Sequence, residues 1–208
     1  MFKDRSDAGK QLAGKLMQYS AKDAVVLALP RGGVVTGYEV AKALKLPLDI
    51  VVVRKVGHPN NPEYAVCAVN EKGMRLCNEG EAAVIDMAWL TEETLRQKQE
   101  AQRRVELYRG NRKQAGVRGK TAIIVDDGVA TGLSIRVATR ATKAQKPGRI
   151  VIAVPVASSE AVRELRAEGA DEVIVLEPPE EFLGAVGAHY LRFPQVEDDE
   201  VIKLLGSL

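Results

Sequence analysis

Five short runs of aliphatic and β-branched residues punctuate the chain: AVVLAL (24–29), LDIVVV (48–53), TAIIV (121–125), RIVIAVPV (149–156) and DEVIVL (171–176). None alternates apolar with polar positions, as a strand with one solvated face would. Near-continuous apolar runs of this length mark strands covered on both faces. Segments of helical spacing separate several of them, at Val34–Leu44, Leu133–Ala144 and Ser159–Glu168. Ser158 or Ser159 suits the N-cap of the last, and Gly169 its C-terminal stop. The alternation predicts an α/β fold with an open, mostly parallel sheet and helices on both faces.

The stretch 57–119 interrupts this rhythm. It opens on the turn-rich GHPNNPE, continues with two apolar pieces, YAVCAV and GMRLC, suited to an antiparallel hairpin, and then turns strongly charged. The charged part predicts a surface helix from about Thr91 to Tyr108, with Thr91 as N-cap and Glu92 and Glu93 favoured by the helix dipole. The final stretch, 177–208, carries four of the chain's few aromatic or imidazole rings (Phe182, His189, Tyr190 and Phe193) before a closing helix in PQVEDDEVIKLL.

Composition narrows the class without naming a function. With 208 residues, 46% hydrophobic and 28% charged, the chain suits one soluble domain with a proper core. A formal charge of +2 is too small to announce a nucleic-acid partner. The run from Arg109 to Lys120 holds five basic residues and no acid; it reads as a solvated face, with an RNA or protein contact as the alternative. Cys67 and Cys77 show no CxxC pairing and, with two histidines, make no zinc set, so reduced thiols are expected. No apolar run is long enough to span a membrane and no signal core follows Met1. A cytoplasmic protein is expected.

The chemistry concentrates where strands end. Strand 121–125 runs into Asp126-Asp127, although adjacent carboxylates repel one another, and then into Gly128-Val129-Ala130-Thr131-Gly132 before a helix starting near Leu133 or Ser134. In open α/β sheets, ligands bind outside the carboxyl ends of strands. Loop amides and a helix N-terminus suit a phosphate, with the hydroxyls of Thr131 and Ser134 as further donors. The two acids beside them suit sugar hydroxyls or a hydrated Mg²⁺. The glycine-bearing turn after the first strand, Pro30-Arg31-Gly32-Gly33, lets amides approach an anion, and Arg31 brings a forked donor. Arg54 and Lys55, following the second run, are expected at the same edge. No Walker string or G-x-G-x-x-G spacing competes with this sugar-phosphate reading.

The string IIVDDGVATGLS resembles the phosphoribosyl-pyrophosphate (PRPP) signature of the type I phosphoribosyltransferases, and the chain is similar above all to the stand-alone bacterial group carrying PRGG and DDGxATG. The resemblance implies the Rossmann-like fold of that family in a single domain over 1–208. Residues 57–119 would form a lid hairpin and helical insertion, and 177–208 a hood. It implies that Asp126 and Asp127 hold the ribose hydroxyls and, through water, Mg²⁺. Gly128, Val129, Ala130, Thr131, Gly132 and Ser134 would hold the 5′-phosphate. Arg31, Gly32 and Gly33 would form the pyrophosphate loop, with a cis peptide between Arg31 and Gly32.

By the same resemblance Arg54 and Lys55 face the pyrophosphate, His58–Glu63 forms a closing lid, and Glu63 is a candidate contact to the sugar cation. The hood aromatics, with Phe2 and Arg5-Ser6, would close over the acceptor. The implied reaction is 5-phosphoribosyl transfer from PRPP to a nitrogenous acceptor by a homodimer, with no membrane or nucleic-acid partner. A non-catalytic PRPP sensor and a sugar-phosphate phosphatase are the rivals. By the resemblance, Ala130 matches the position at which the hypoxanthine and guanine enzymes carry an aspartate that assists proton transfer at the purine, so a 6-oxopurine acceptor is put in doubt.

Overall fold

The computed structural model describes residues 1–208, the side chain of Glu63 excepted; the expectation for Glu63 therefore lies outside the described residues. The chain forms α1 (Arg5–Lys15), β1 (Ala24–Ala28), α2 (Gly32–Leu44), β2 (Leu48–Ile50), β3 (Val53–His58), β4 (Asn61–Asn70), β5 (Arg75–Cys77), α3 (Glu79–Ala82) and α4 (Met87–Arg109). Then follow β6 (Thr121–Val125), α5 (Leu133–Lys143), β7 (Arg149–Val154), α6 (Ser159–Ala167), β8 (Glu172–Val175) and α7 (Asp198–Leu205).

A parallel sheet of order β2-β1-β6-β7-β8 is the centre of the molecule. Its strands are apolar on both faces because both are covered. Val26, Ile123, Val125 and Val151 pack beneath α1 and α2, with Leu12, Val40 and Leu44. Val25, Leu27, Ile124 and Ile152 face α5 and α6, with Ile135, Ala138 and Leu165. Each such side chain contributes about 1.5–3 kcal/mol when fully buried. Connections from β1 lead to β2 on one side of the sheet, and those from β6 lead to β7 and β8 on the other. The strand order thus reverses between β1 and β6, the crevice where α/β folds take ligands.

The run 48–53 is not one strand. It leaves the parallel sheet after Ile50, and Val53 opens β3 of a separate antiparallel sheet, β3-β4-β5. Arg54 and Lys55 consequently lie on β3, not at the end of β2. Asn70 closes the β4–β5 turn, its side chain accepting from the amides of Lys72 and Met74 at 3.0 and 2.8 Å. That register sets Cys67 opposite Cys77, and the two form a disulfide rather than the free thiols expected. No described helix is long and apolar enough to cross a membrane.

The charged helix begins earlier than its acids suggest. Asp86 caps it, accepting from the amide of Trp89 at 2.8 Å, while Thr91 lies a turn inside with its hydroxyl on the carbonyl of Met87. Its buried face is Leu90, Ala101 and Tyr108; Leu95 points to solvent. The basic run after it is partly spent inside the molecule. Arg109 pairs with buried Asp49 and Arg112 donates to the carbonyl of Leu205, whereas Lys120 meets Asp23 at the surface. Asp49 also accepts from the amide of Ala115 at 2.7 Å, tying this linker to β2.

Candidate active site

Register brings the two motifs together. Ala28 of β1 pairs with Val125 of β6, so the turns that follow leave the sheet side by side. The amide of Leu29 donates to the carbonyl of Val125 at 3.0 Å. Glycine is required in the first turn by this closeness. A Cβ on Gly32 would overlap Asp127 Oδ2 outright, and one on Gly33 would stand 2.7 Å from Asp126 Oδ1. The cis peptide lies at Pro30–Arg31, one bond before the expected position; Arg31 is the N-cap of α2, and both glycines belong to its first turn.

The two acids have different surroundings. Asp126 Oδ1 accepts from the amide of Asp127 at 2.9 Å, and burial, reinforced by the charge of Asp127, pushes its carboxyl well above the usual range. Asp127 Oδ2 accepts from Arg5 Nε at 2.7 Å. Arg5 also donates to the carbonyl of Pro194 at 2.6 Å and lies 3.7 Å over the ring of Phe193. The hydroxyl of buried Tyr190 donates to the carbonyl of Asp127, and burial holds that phenol above its ordinary value. The N-terminal helix and the C-terminal segment therefore both close on Asp127.

Past the acids the loop divides its tasks. The resemblance has Val129 among the phosphate-holding residues, but its amide donates to the carbonyl of Val156 at 2.9 Å. The bond is returned from Ser158 at 3.0 Å, so Val129 braces the loop against the end of β7. Beyond it, the amides of Ala130, Thr131, Gly132, Leu133, Ser134 and Ile135 take no backbone acceptor among the described residues. Gly132 caps α5 with φ +78°, a left-handed conformation that favours glycine. Such a set of amides at a helix N-terminus is an anion receptor.

A cavity of about 870 Å³ opens over this loop, lined also by Arg5, Lys55, Val186 and Phe193. A second, of about 760 Å³, adjoins it and contains Arg31, Arg54, Arg104 and His58. Lys55, Asp126 and Ser134 border both. Arg31 meets Glu197 and Asp198 at the start of α7, at 3.5 and 3.6 Å. His58 stands at the β3–β4 turn, its Nδ1 accepting from the amide of Asn60 at 3.1 Å, so the expected lid is the tip of a hairpin.

Of the four hood rings, only Phe193 reaches the first cavity. Phe182 stacks on His189, which is buried against Glu177, and these pin the segment to the core. Sequence reading ties Arg5 to this opening only by analogy and does not find Gln97, Trp89 or Arg104 of α4, which line the second cavity. Their placement depends on how the insertion folds back, for which no local signal exists.

Comparison with known proteins follows the same lines. Residues 3–188 match the family model described as "Phosphoribosyl transferase domain". Proteins of two Mycobacterium tuberculosis strains, each named "Putative phosphoribosyl transferase", are 44% identical over 207 residues. The match covers 99% of this chain and 46% of theirs, so the chain spans about half the length of these curated relatives. The crystal structure of TT1426 from Thermus thermophilus is 45% identical, with a TM-score of 0.80 and coverage of 99% of this chain and 97% of that one.

Proposed function

Because the chain belongs to the phosphoribosyl transferase domain family, we propose that it transfers the 5-phosphoribosyl group of PRPP to a nitrogen atom of a small acceptor, a nucleobase in the first instance, and releases pyrophosphate. One observation carries the reading. An acid pair and an amide-lined loop share a cavity that continues, past Asp126 and Lys55, into a second cavity rich in arginine. That order of groups suits an anion, a pentose and a second, larger anion in succession.

In this reading the amides of Ala130 to Ser134, with the hydroxyls of Thr131 and Ser134, hold the 5′-phosphate. Asp126 and Asp127 accept hydrogen bonds from the ribose hydroxyls and face the positive charge that builds on the sugar as its bond to pyrophosphate breaks. Arg31, Arg54 and Lys55 neutralise the leaving group. Gly32 and Gly33 keep the first turn close enough for Asp126 to serve both cavities. The hairpin tip at His58 excludes water by closing over the second cavity. Val186 and Phe193 give a planar acceptor an apolar wall.

The donor set fits Mg²⁺ in one mode only. No cluster of three or more ligating side chains occurs among the described residues, and Mg²⁺ is commonly held by one or two carboxylates together with phosphate oxygens and water. Asp126 and Asp127, through water, are the residues that would hold it. Bound there, the ion would neutralise charge on the pyrophosphate.

A second reading, a PRPP-binding protein without turnover, is favoured by Ala130: an exposed methyl stands in the loop where a proton-transferring group would serve some acceptors. Mixing the protein with Mg·PRPP and a panel of nucleobases, and measuring pyrophosphate release, separates the two. Release with one base supports the transferase. PRPP binding without release for any base supports the sensor.

A further inference from the structure

Arg54 is half-buried in the second cavity and forms no ion pair among the described residues. Its Nε donates to Gln97 Oε1 at 3.0 Å. Gln97 Nε2 donates in turn to Glu93 Oε1 at 2.8 Å. Glu93 is met by two hydrogen bonds from Arg96, both 2.7 Å. The result is a three-residue relay along one face of α4. The carboxylate charge at its far end is matched by Arg96, and only a neutral amide oxygen reaches Arg54.

A half-buried guanidinium without a counter-charge costs stability. Burial, and next the nearby cation of Arg104, lower the proton affinity of Arg54 below the ordinary arginine value. Arg104 itself is paired with Glu100 at 2.7 Å, so its charge is already met. The helix supplies acids for its own Arg96, Arg103 and Arg104, and only an amide for Arg54. A glutamate at position 97 would offer the same acceptor oxygen and cancel the cation.

We propose that Gln97 is a positioning residue for the anion of the second cavity: it fixes the Arg54 fork at Nε, leaves the terminal nitrogens for pyrophosphate oxygens, and keeps the charge unspent. The assignment rests on the PRPP reading above. It adds α4, part of the insertion, to the groups that recognise the leaving anion, and it makes the neutrality of residue 97 the functional property.

The test is calorimetric titration of the intact protein with magnesium pyrophosphate, alongside thermal unfolding, for the unaltered chain, Gln97→Glu and Gln97→Met. Gln97→Glu exchanges the neutral hydrogen bond to Arg54 for a charged one but turns the bond to Glu93 into a like-charge contact. Its melting temperature is therefore expected to fall about as far as that of Gln97→Met, which loses both hydrogen bonds. The pyrophosphate affinity of Gln97→Glu should fall by about tenfold or more, the scale of a lost charge-assisted contact. Gln97→Met should lose clearly less affinity than Gln97→Glu at comparable stability.

If Gln97→Glu binds pyrophosphate as well as Gln97→Met or better, Gln97 is merely structural and the proposal fails. Unchanged affinity in both variants overturns it equally. Failure of the unaltered protein to bind pyrophosphate is a different result: it overturns the second cavity as a pyrophosphate site, and this assignment with it.

Discussion

Gly32 and Asp127 are packed so closely that a single methyl group on the glycine would overlap the aspartate Oδ2 and lie 2.7 Å from Arg5 Nε. These residues are 95 positions apart, yet each fixes the other's place. Gly32→Ala should therefore displace the acid rather than merely stiffen a turn. Overpacking of this kind costs about 1–3 kcal/mol, read as a lowered melting temperature. The same variant should lose PRPP affinity in a binding titration, because Asp127 can no longer keep its station. Unaltered binding would show that the contact is incidental to the site.

Arg5 ties α1 and the C-terminal segment, through the carbonyl of Pro194 and the ring of Phe193, to one acid. Removing one partner of a buried ion pair leaves the other charge uncompensated, at a cost of about 3 kcal/mol. Arg5→Met should show that loss in chemical denaturation, together with weakened PRPP binding. Arg5→Lys keeps the charge but not the fork, so it should recover part of the stability and little of the affinity.

Tyr190 reaches the same aspartate from the hood, through its backbone carbonyl. Tyr190→Phe deletes one hydroxyl and leaves a buried acceptor without its donor. About 1 kcal/mol of stability should go. Binding should weaken only a few-fold, since neither carboxylate is touched. Denaturant midpoints and PRPP titration check both halves.

Acid should loosen α4 through a particular residue. Hydrogen bonds from Arg103 and then Arg104 pull the Glu100 carboxyl down to about 2, from an ordinary value of 4.5. A carboxylate depressed in the folded state contributes stability that is present above its unfolded value and is lost as pH falls through its folded one. The contribution therefore fades between about pH 4.5 and 2. Glu100→Gln should flatten that limb of melting temperature against pH. Partial exposure to solvent keeps the effect small.

Much of this arrangement is legible in the amino-acid sequence. The parallel sheet can be read because Val, Ile and Leu in TAIIV and RIVIAV bury both faces, and two-sided burial leaves a mark in sequence. The positions of Asp126, Asp127 and the Thr131–Gly132 turn can be read because they lie within a few residues of a strand end. Sequence reading fails where the answer depends on partners far along the chain. LDIVVV looks like one strand, and only the departure of the chain after Ile50 moves Arg54 and Lys55 to a second sheet. Val129 looks like its neighbours until Val156 takes its amide. Cys67 and Cys77 become partners through the β4–β5 register. Arg109, to all appearances one more surface cation, is claimed by Asp49 across 60 residues.

The central claim is that the loop from Ala130 to Ser134 and the acids before it receive a phosphorylated pentose. The most direct measurement is calorimetric titration of the protein with PRPP in the presence of Mg²⁺, set beside Asp126→Asn and Asp127→Asn. The account predicts saturable one-site binding by the unaltered chain and at least about a tenfold loss in Asp127→Asn, the scale of one charge-assisted contact. Absence of binding by the unaltered chain, or equal affinity in all three proteins, would contradict it.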